Sequence, residues 1–422
     1  MKPTLMGSIA GAALLATLAF PAYPEGQRDA PRQRRPHFAR YEVTDLGTLG
    51  GPYSLGLGIN SRGVVAGGAA TVSQNGNPNV ANPQPPLTGF LWKDGHMVNL
   101  GTLGDPRDNL NSEAGGPNIH NESALISETG SLDPNGEDFC YFGTHRQCLA
   151  AIWKHGRLSA LRNPFGGNNS QAYWINDFGQ VTGFAETSEY DASCATQAGP
   201  DHPLGGKPFQ LYRFKAVVWN PDGSWRELRP YGDDTVSFAM GINNKGQAVG
   251  TSGLCSNVDF PPSPQAFRSI LWQADGTPVD LGGLGGASSG ASAINDRGDV
   301  DGTATTADGL TRAYLWTKES GQPHNLGSLH PDDPLVVATC CNTVNNYRQV
   351  VGFVLDANFN SYAFLWQDGR MVDLNTLIPN DSGWTLQSAD SINDAGQITG
   401  WGLINGEVHA FLAAPCDRED DH

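Results

Sequence analysis

Residues 389–400 read ADSINDAGQITG, and variants of this string recur along most of the 422-residue chain. The clear copies run through Ile59–Gly67, Ile175–Gly183, Ile242–Gly250, Ile294–Gly302 and Ile392–Gly400. A sixth copy, Val344–Gly352, has Arg348 in place of glycine, and we align the second copy as Ile119–Ser127 with His120 in place of asparagine. Such self-similarity at intervals of roughly 50 residues is typical of repeat architectures.

Two further strings accompany each copy. A D-L-G-T-L-G-G-like string precedes it, with its first leucine at Leu46, Leu100, Leu161, Leu228, Leu281, Leu326 and Leu374. An A-F-L-W-like string follows it and ends at Trp92, Trp153, Trp219, Trp272, Trp316, Trp366 and, in the seventh copy, Ala413. Each unit therefore predicts four short strands, which we call a to d, with an Asn-Asp-x-Gly turn between strands a and b.

The two ends of the repeat region complement each other. The first strand, Tyr41–Leu46, matches a strand d, whereas the last, His409–Ala413, matches a strand c. Four strands per unit with aromatic and glycine markers are typical of β-propeller blades. The sequence thus predicts an all-β, seven-bladed β-propeller of four-stranded blades over residues 41–414, closed by the N-terminal strand completing the last blade. An open repeat array is the alternative.

The N-terminal residues predict export. Residues 1–22 have the pattern of a signal peptide, with Lys2, an apolar segment from Met6 to Phe20, and small residues at Ala19 and Ala22. Residues 23–40 form a Pro- and Arg-rich leader that we expect to be flexible, and residues 415–422 form an acidic tail. We expect a secreted protein, extracellular or periplasmic, with no transmembrane segment in the mature chain.

Charge excludes one class of partner. The chain has 43 Asp and Glu against 26 Lys and Arg, a formal net charge of −17. Such a chain repels polyanions, so we expect no nucleic-acid partner. We expect a monomer.

The repeated strings resemble those of the bacterial extracellular HAF-repeat family. His409-Ala410-Phe411 is the tripeptide for which that family is named, and the resemblance covers residues 41–414. It implies an exported repeat protein. It implies no catalytic residues.

Loop lengths point to a functional face. The segments between strands b and c are longer in the first four units than in the last three, and in a propeller they emerge on one face. Variable loops on a rigid frame are where binding usually occurs. We therefore predict a non-enzymatic binding scaffold for an extracellular polymer or protein, with binding residues in the second and third insertions: Tyr141, His145, Arg146, Tyr190, Asp191, Asp201 and His202.

Cysteines and acidic residues in these insertions give further expectations. Export permits disulfides, so Cys140 and Cys148 could bridge the second insertion, and Cys194 and Cys255 could link the third to the fourth. We expect no catalytic residues, no metal site and no cofactor. Calcium at residues 133–138, DPNGED, is a weak alternative.

Two other functions remain open at this level. One is an extracellular polysaccharide-active enzyme, a glycosidase or lyase, which requires paired carboxylates that a sequence cannot show. Asp105, Glu128, Asp201, Asp233 and Asp332 are its candidates. The other is a structural or adhesive component of the cell envelope.

Overall fold

Strands account for nearly all the regular structure of the protein. The computed structural model describes residues 38–72, 86–194, 210–257, 267–329, 336–358 and 360–416. Within these ranges the only helices are short 3-10 turns at Pro106–Asp108, Cys255–Asn257 and Leu374–Leu377. The all-β prediction is confirmed. The predicted signal peptide and nearly all of the predicted leader and acidic tail lie outside the described residues.

The strands follow the repeat. After β1 (Arg40–Asp45), unit 1 contains β2 (Gly50–Ile59), β3 (Val65–Thr71), β4 (Leu87–Lys93) and β5 (His96–Gly101). Unit 2 contains β6 (Ser112–Pro117), β7 (Ser123–Leu132), β8 (Arg146–Lys154) and β9 (Arg157–Ala160). Unit 3 contains β10 (Gly166–Ile175), β11 (Val181–Tyr190), β12 (Tyr212–Trp219) and β13 (Trp225–Leu228). Unit 4 contains β14 (Val236–Ile242), β15 (Ala248–Gly253), β16 (Arg268–Trp272) and β17 (Pro278–Asp280).

The last three units have the same order. Unit 5 contains β18 (Gly285–Ile294), β19 (Val300–Thr306), β20 (Thr311–Trp316) and β21 (Pro323–Asn325). Unit 6 contains β22 (Val336–Val344), β23 (Val350–Asp356), β24 (Ser361–Gln367) and β25 (Arg370–Asp373). Unit 7 contains β26 (Trp384–Ile392), β27 (Ile398–Ile404) and β28 (Glu407–Cys416). We call the first strand of each unit its inner strand.

Within each unit the strands pair with their sequence neighbours in antiparallel order. Single parallel bridges also join some units: Tyr53 to Val408, Gly116 to Trp174, and Thr311 to Ala338. The sheets therefore comprise three of eight strands and one of four, rather than seven separate ones. Strand β1 pairs antiparallel with β28, from Arg40 opposite Cys416 to Asp45 opposite Phe411, and supplies the fourth strand of unit 7.

The turn between the first two strands is built around one asparagine. In unit 1 the Asn60 side-chain oxygen accepts hydrogen bonds from the backbone N–H groups of Arg62 and Val64, at 2.9 and 3.0 Å. Gly63 has a φ of +76°, which is why glycine recurs at this position. In unit 6 Arg348 adopts this conformation, with a φ of +61°.

The alignment of the second copy was wrong by two residues. Asn118, not His120, occupies the asparagine position, since its side-chain oxygen accepts from the N–H groups of His120 and Glu122, both at 3.0 Å. Asn121 takes the glycine position, with a φ of +60°. Asparagine tolerates this left-handed conformation better than most residues, and the substitution hid the motif.

The same asparagines also connect neighbouring units. Each side-chain nitrogen donates a hydrogen bond of 2.8–3.2 Å to the backbone carbonyl of the equivalent asparagine in the next unit. The seven bonds run from Asn60 to Asn118, Asn118 to Asn176, Asn176 to Asn243, Asn243 to Asn295, Asn295 to Asn345, Asn345 to Asn393, and Asn393 to Asn60. We call this set the asparagine cycle.

Packing between units explains the other repeated residues. The aromatic residues Phe90, Tyr314, Phe364 and Phe411, at equivalent positions of the third strand, are fully buried. The last glycine of the motif sits where strands cross closely, because a Cβ on Gly67 would lie 1.9 Å from the carbonyl oxygen of Leu55. The repeated motif thus encodes contacts within and between sheets.

The asparagine cycle gives a stability prediction. Replacing Asn243 by Ala removes two turn bonds, to the N–H groups of Lys245 and Gln247, and the bond to the next unit. The N–H groups of Lys245 and Gln247 then lose their acceptor, and the buried carbonyl of Asn295 keeps only its bond from Gly298. We therefore expect a loss of about 2–4 kcal/mol in unfolding free energy, measured by urea denaturation.

Two further variants test the cause. N243D keeps the turn acceptor but loses the donor, and should lie between N243A and the wild type. The control is K245A, because Lys245 is exposed. It should change the unfolding free energy by less than about 0.5 kcal/mol. Equal stabilities of N243A and K245A would contradict a structural role for the cycle.

Candidate active site

The inner strands bring together residues that are distant in sequence. They contact one another in order from β2 to β26, and β26 contacts β2. In β2 and β6, buried side chains that face the core alternate with half-buried ones. The half-buried side chains of the inner strands include Tyr53, Glu113, Tyr173, Asn342 and Asp390.

Glu113 has the carboxyl group of this set that accepts no hydrogen bond from the described residues. It lies in the middle of β6 and is half-buried. No hydrogen bond or ion pair reaches its carboxyl group from any other residue in the described ranges. Surrounding protein raises its pKa from the ordinary 4.5 to about 7, because burial penalises the charged form.

Asp390, near the end of β26, is held in a fixed orientation. Its Oδ1 accepts hydrogen bonds from the side chains of Asn342 and Ser388, each at 3.0 Å. Its Oδ2 is buried and has no partner among the described residues. The pKa of Asp390 is raised to about 7, chiefly because burial penalises the charged form; the bond from Ser388 lowers the pKa, and the negative charge of Glu113 contributes to the rise.

The charge of Glu113 reaches three other units. It adds to the effect of burial in raising the pKa values of Tyr53, Tyr173 and Asp390, which belong to units 1, 3 and 7. Glu113 and Asp390 are therefore two carboxyl groups within electrostatic range, and both of their pKa values are raised to about 7. Carboxyl groups with such pKa values can give up and take up protons near neutral pH, as general acid and general base catalysis requires.

A pocket opens close to Asp390. It has a volume of ≈ 210 Å³ and lies between the turns that form the asparagine cycle. Asn342, which donates to Asp390, is part of its lining, together with Thr343 and Ser391. Asp390 is therefore hydrogen-bonded to a residue that lines the pocket.

The predicted binding residues of the second insertion have structural contacts. His145 Nδ1 is 2.9 Å from the carbonyl oxygen of Gly136, and Arg146 donates to the carbonyl of Gly130 at 2.8 Å. Tyr141 is half-buried, and burial together with the charge of Asp138 raises its pKa. None of these three residues lines the pocket, although Tyr141 lies within electrostatic range of Tyr173 and contributes to raising its pKa. Their predicted binding role stays a prediction.

The third insertion presents a different surface. Tyr190 is 61% exposed, with its ring 5.8 Å from that of Tyr212 in an edge-on arrangement. Asp191 forms an ion pair with Arg213 at 2.8 Å, and hydrogen bonds from Ser193 and Arg213 lower its pKa. The other two predicted binding residues, Asp201 and His202, lie outside the described residues.

Both suggested disulfides are present. Cys140 is bonded to Cys148, and Cys194 is bonded to Cys255, so the third insertion is linked to the fourth. All four cysteines are buried in a second core with Phe139, Phe184 and Phe214. The described parts of the insertions of units 2 to 4 are therefore packed against this core.

A cluster of buried carboxyl groups lies inside this second core. Asn169 Nδ2 donates to Asp133 and to Glu186, both at 2.9 Å, and Glu137 accepts from the backbone of Leu211. Burial raises the pKa of Glu137 and of Glu186, and the charge of Glu186 raises that of Glu137 further. Within the described ranges, no three His, Cys, Asp or Glu side chains are arranged to hold a metal ion.

The acids nominated from sequence do not form the pair. Asp105 is bound by Arg107, Glu128 is buried against Asn111 and Thr144, and Asp233 is exposed. Asp201 and Asp332 lie outside the described residues. The sequence did contain a signal for Glu113 and Asp390, because both are charged residues within inner strands whose other members are mostly apolar or small.

Comparison with known proteins identifies solved structures with a similar fold. No family model and no curated protein sequence matches the chain. Among solved structures, it is similar to a puromycin hydrolase, with 14% identity, a TM-score of 0.50, and coverage of 89% of this chain and 55% of that one. It is also similar to the β-propeller domain of the Trilobed protease from Pyrococcus furiosus, with 8% identity, a TM-score of 0.47, and coverage of 88% and 99%.

A third similar structure is a gluconolactonase from Xanthomonas campestris, with 11% identity, a TM-score of 0.38, and coverage of 90% and 92%. This chain thus spans about half the length of the puromycin hydrolase and nearly all of the gluconolactonase. The structural neighbours are β-propellers. None of the helices in the described ranges has the length and apolar character needed to cross a membrane.

One prediction requires correction. The sequence favoured a non-enzymatic binding scaffold, whereas the similar structures belong to hydrolytic enzymes, a gluconolactonase and peptidases, so that prediction is contradicted. The described parts of the enlarged loops of units 2 to 4 contribute cysteine and aromatic side chains to a second core.

The two disulfides should differ in their effect on stability. They enclose sequence separations of 61 and 8 residues. Because a longer loop restricts the unfolded chain more, C194S/C255S should lose about 4 kcal/mol and C140S/C148S about 2.5 kcal/mol in unfolding free energy. Denaturant titration under non-reducing conditions measures both, and a larger loss for the short loop would contradict this explanation.

Glu113 gives a pH prediction. Its pKa is 4.5 ordinarily and about 7 in the folded protein. Between these values the unfolded state loses its proton while the folded state keeps it, so stability should fall as pH rises from 4.5 to about 7. Melting temperatures across this range should fall less steeply for E113Q than for the wild type, whereas the exposed-site control E42Q should keep the wild-type slope.

Proposed function

We propose that the seven units close into a seven-bladed β-propeller. Three observations support this: the asparagine cycle returns from Asn393 to Asn60, β1 supplies the fourth strand of unit 7, and β26 contacts β2. In such a ring the inner strands surround a central channel, and Glu113 and Asp390 project from its wall.

We propose that this channel is the active site of a hydrolase that cleaves glycosidic bonds in oligosaccharides. The observation that carries the proposal is a pair of carboxyl groups on the inner strands β6 and β26, which both contact β2, with pKa values raised to about 7. Most glycosidases use two Asp or Glu residues, one of which has a raised pKa and acts as the acid.

The environments of the two groups assign their roles. Oδ1 of Asp390 already accepts two hydrogen bonds, so its proton resides on Oδ2, and Asp390 is the general acid. Glu113 has no partner in the described ranges and is half-buried, so it is the general base for a water molecule. Asp390 donates its proton to the leaving oxygen as the bond between that oxygen and the anomeric carbon breaks, and water attacks the carbon while Glu113 takes its proton.

We also propose that the protein acts outside the cytoplasm, as an exported member of the HAF-repeat family. The two disulfides support export, because such bonds persist mainly in oxidising compartments. The apolar N-terminal segment and the repeated strings of the sequence support it independently.

Release of reducing ends from a panel of neutral, amino and acidic oligosaccharides tests the hydrolase proposal. We expect turnover of at least one class, with a bell-shaped pH dependence near pH 7 that reflects the two raised pKa values. E113Q and D390N should each lower kcat by about 10²- to 10⁴-fold, because each removes one proton-transfer group.

The matched control is E42Q, an equally conservative change at an exposed position of β1. It should retain wild-type turnover. Wild-type activity in E113Q, or no reducing ends from any substrate, would rule out the proposed site.

A further inference from the structure

Three carboxyl groups in the second core are joined through one amide. Asn169 Nδ2 donates to Asp133 Oδ2 and to Glu186 Oε2, both at 2.9 Å. The backbone N–H groups of Asn135 and Glu137 donate to Asp133 Oδ1, at 2.8 and 3.0 Å. Asp133, Glu137 and Glu186 are buried, with 5%, 0% and 1% of their surface exposed. We call these three residues the acid cluster.

The acid cluster has no cationic partner in the described part of the chain, where no Lys, Arg or His forms an ion pair with it. Such buried charge is costly unless a proton or a cation neutralises part of it. The cations of the adjoining segments have other partners: His145 with Gly136, Arg146 with Gly130, Arg213 with Asp191, and Lys215 with Glu227. The remaining titratable groups of those segments are acids and tyrosines: Glu128, Asp138, Tyr141, Tyr173, Glu189, Tyr190 and Tyr212.

Oε1 of Glu186 gives a second, independent observation. It is buried and has no hydrogen-bond partner among the described residues. Oε2 of the same group accepts from the N–H groups of Asn168 and Asn169, at 3.1 and 2.9 Å, and from the Asn169 side chain. A buried oxygen is normally paired, so Oε1 requires a donor. A protonated neighbouring carboxyl group is such a donor.

Glu137 is the member of the cluster suited to hold that proton. Asp133 and Glu186 each accept three hydrogen bonds from N–H groups, which stabilise the ionised form of both. Glu137 accepts one bond from the backbone of Leu211 and one of 3.3 Å from Asn135. Burial is the main cause of a raised pKa at Glu137, and the charges of Glu186 and Asp133 add to it.

We propose that the acid cluster is a pH-sensitive latch, in which the carboxyl group of Glu137 is protonated and donates a hydrogen bond to Oε1 of Glu186. Glu137 belongs to the enlarged segment of unit 2, and Glu186 lies in β11 of unit 3, so the bond joins two units. When the proton is lost to solvent, two buried carboxylates remain with no donor between them, and the second core opens to let water reach them. The proposal goes beyond the hydrolase activity and does not depend on it.

Reduction of the disulfides reports opening of the latch, because both disulfides lie in the second core. The full chain is treated with a phosphine reductant from about pH 5 to about pH 9, with E137Q as reference because its amide donates at every pH. The pKa of Glu137 is 4.5 ordinarily and about 8 in the folded protein, so opening becomes easier as pH rises between these values. The ratio of wild-type to E137Q reduction rates should rise by up to about tenfold per pH unit and level off above about pH 8.

The matched control is E42Q, an equally conservative change at an exposed position of β1. Its reduction rate should follow that of the wild type at every pH. A pH dependence in E137Q equal to that of the wild type would overturn the proposal.

Carbon-13 labelling of the glutamate carboxyl groups gives a second readout in the wild type, which is independent of whether E137Q folds. We expect a carboxyl resonance that titrates at about pH 8 and persists in E113Q. The absence of such a resonance would contradict a protonated Glu137. Protection of the wild-type disulfides by added calcium, lost in E137Q, would place a cation rather than a proton in the cluster and would also overturn the proposal.

Discussion

One amide side chain in each unit makes hydrogen bonds in two directions, and the rest of the structure depends on this. Its oxygen accepts from the N–H groups of its own turn, as Asn60 does with Arg62 and Val64. Its nitrogen donates to the backbone of the next unit, as Asn60 does with Asn118. Because donor and acceptor belong to one planar group, the turn cannot form correctly without also fixing the position of its neighbour. A hydroxyl or carboxylate at this position could not supply both functions in the same geometry.

Fixing the turns in this way brings the inner strands against one another. Glu113 and Asp390 belong to units 2 and 7, and yet the charge of the first changes the pKa of the second. Each group would be an ordinary ionised carboxylate in water. Removal of solvent by the surrounding strands raises both pKa values to about 7, so the same packing that stabilises the fold also produces the proposed acid and base.

The enlarged segments of units 2 to 4 have a different physical basis. They contribute Phe139, Phe184 and Phe214 to a second core that encloses both disulfides. The ring centroid of Phe184 lies 5.3 Å from that of Phe139 and 5.2 Å from that of Phe214. Buried acids, including Glu137 and Glu186, lie alongside this core and accept hydrogen bonds from amide groups, and no metal ligand set forms within the described residues. The described parts of these insertions thus contribute to packing.

The sequence by itself determined the features that depend on local chemistry. The strand order, the turns and the candidate disulfides follow from the period of the motif, from the preference of asparagine and glycine for the turn, and from the positions of the cysteines. The motif was aligned wrongly in unit 2, where Asn121 replaces the turn glycine, because both asparagine and glycine can adopt the same left-handed conformation. Only the tertiary structure could bring Glu113 and Asp390 into range and raise their pKa values. Electrostatic coupling and desolvation depend on distance in space, and nothing in the spacing of residues 113 and 390 along the chain specifies either.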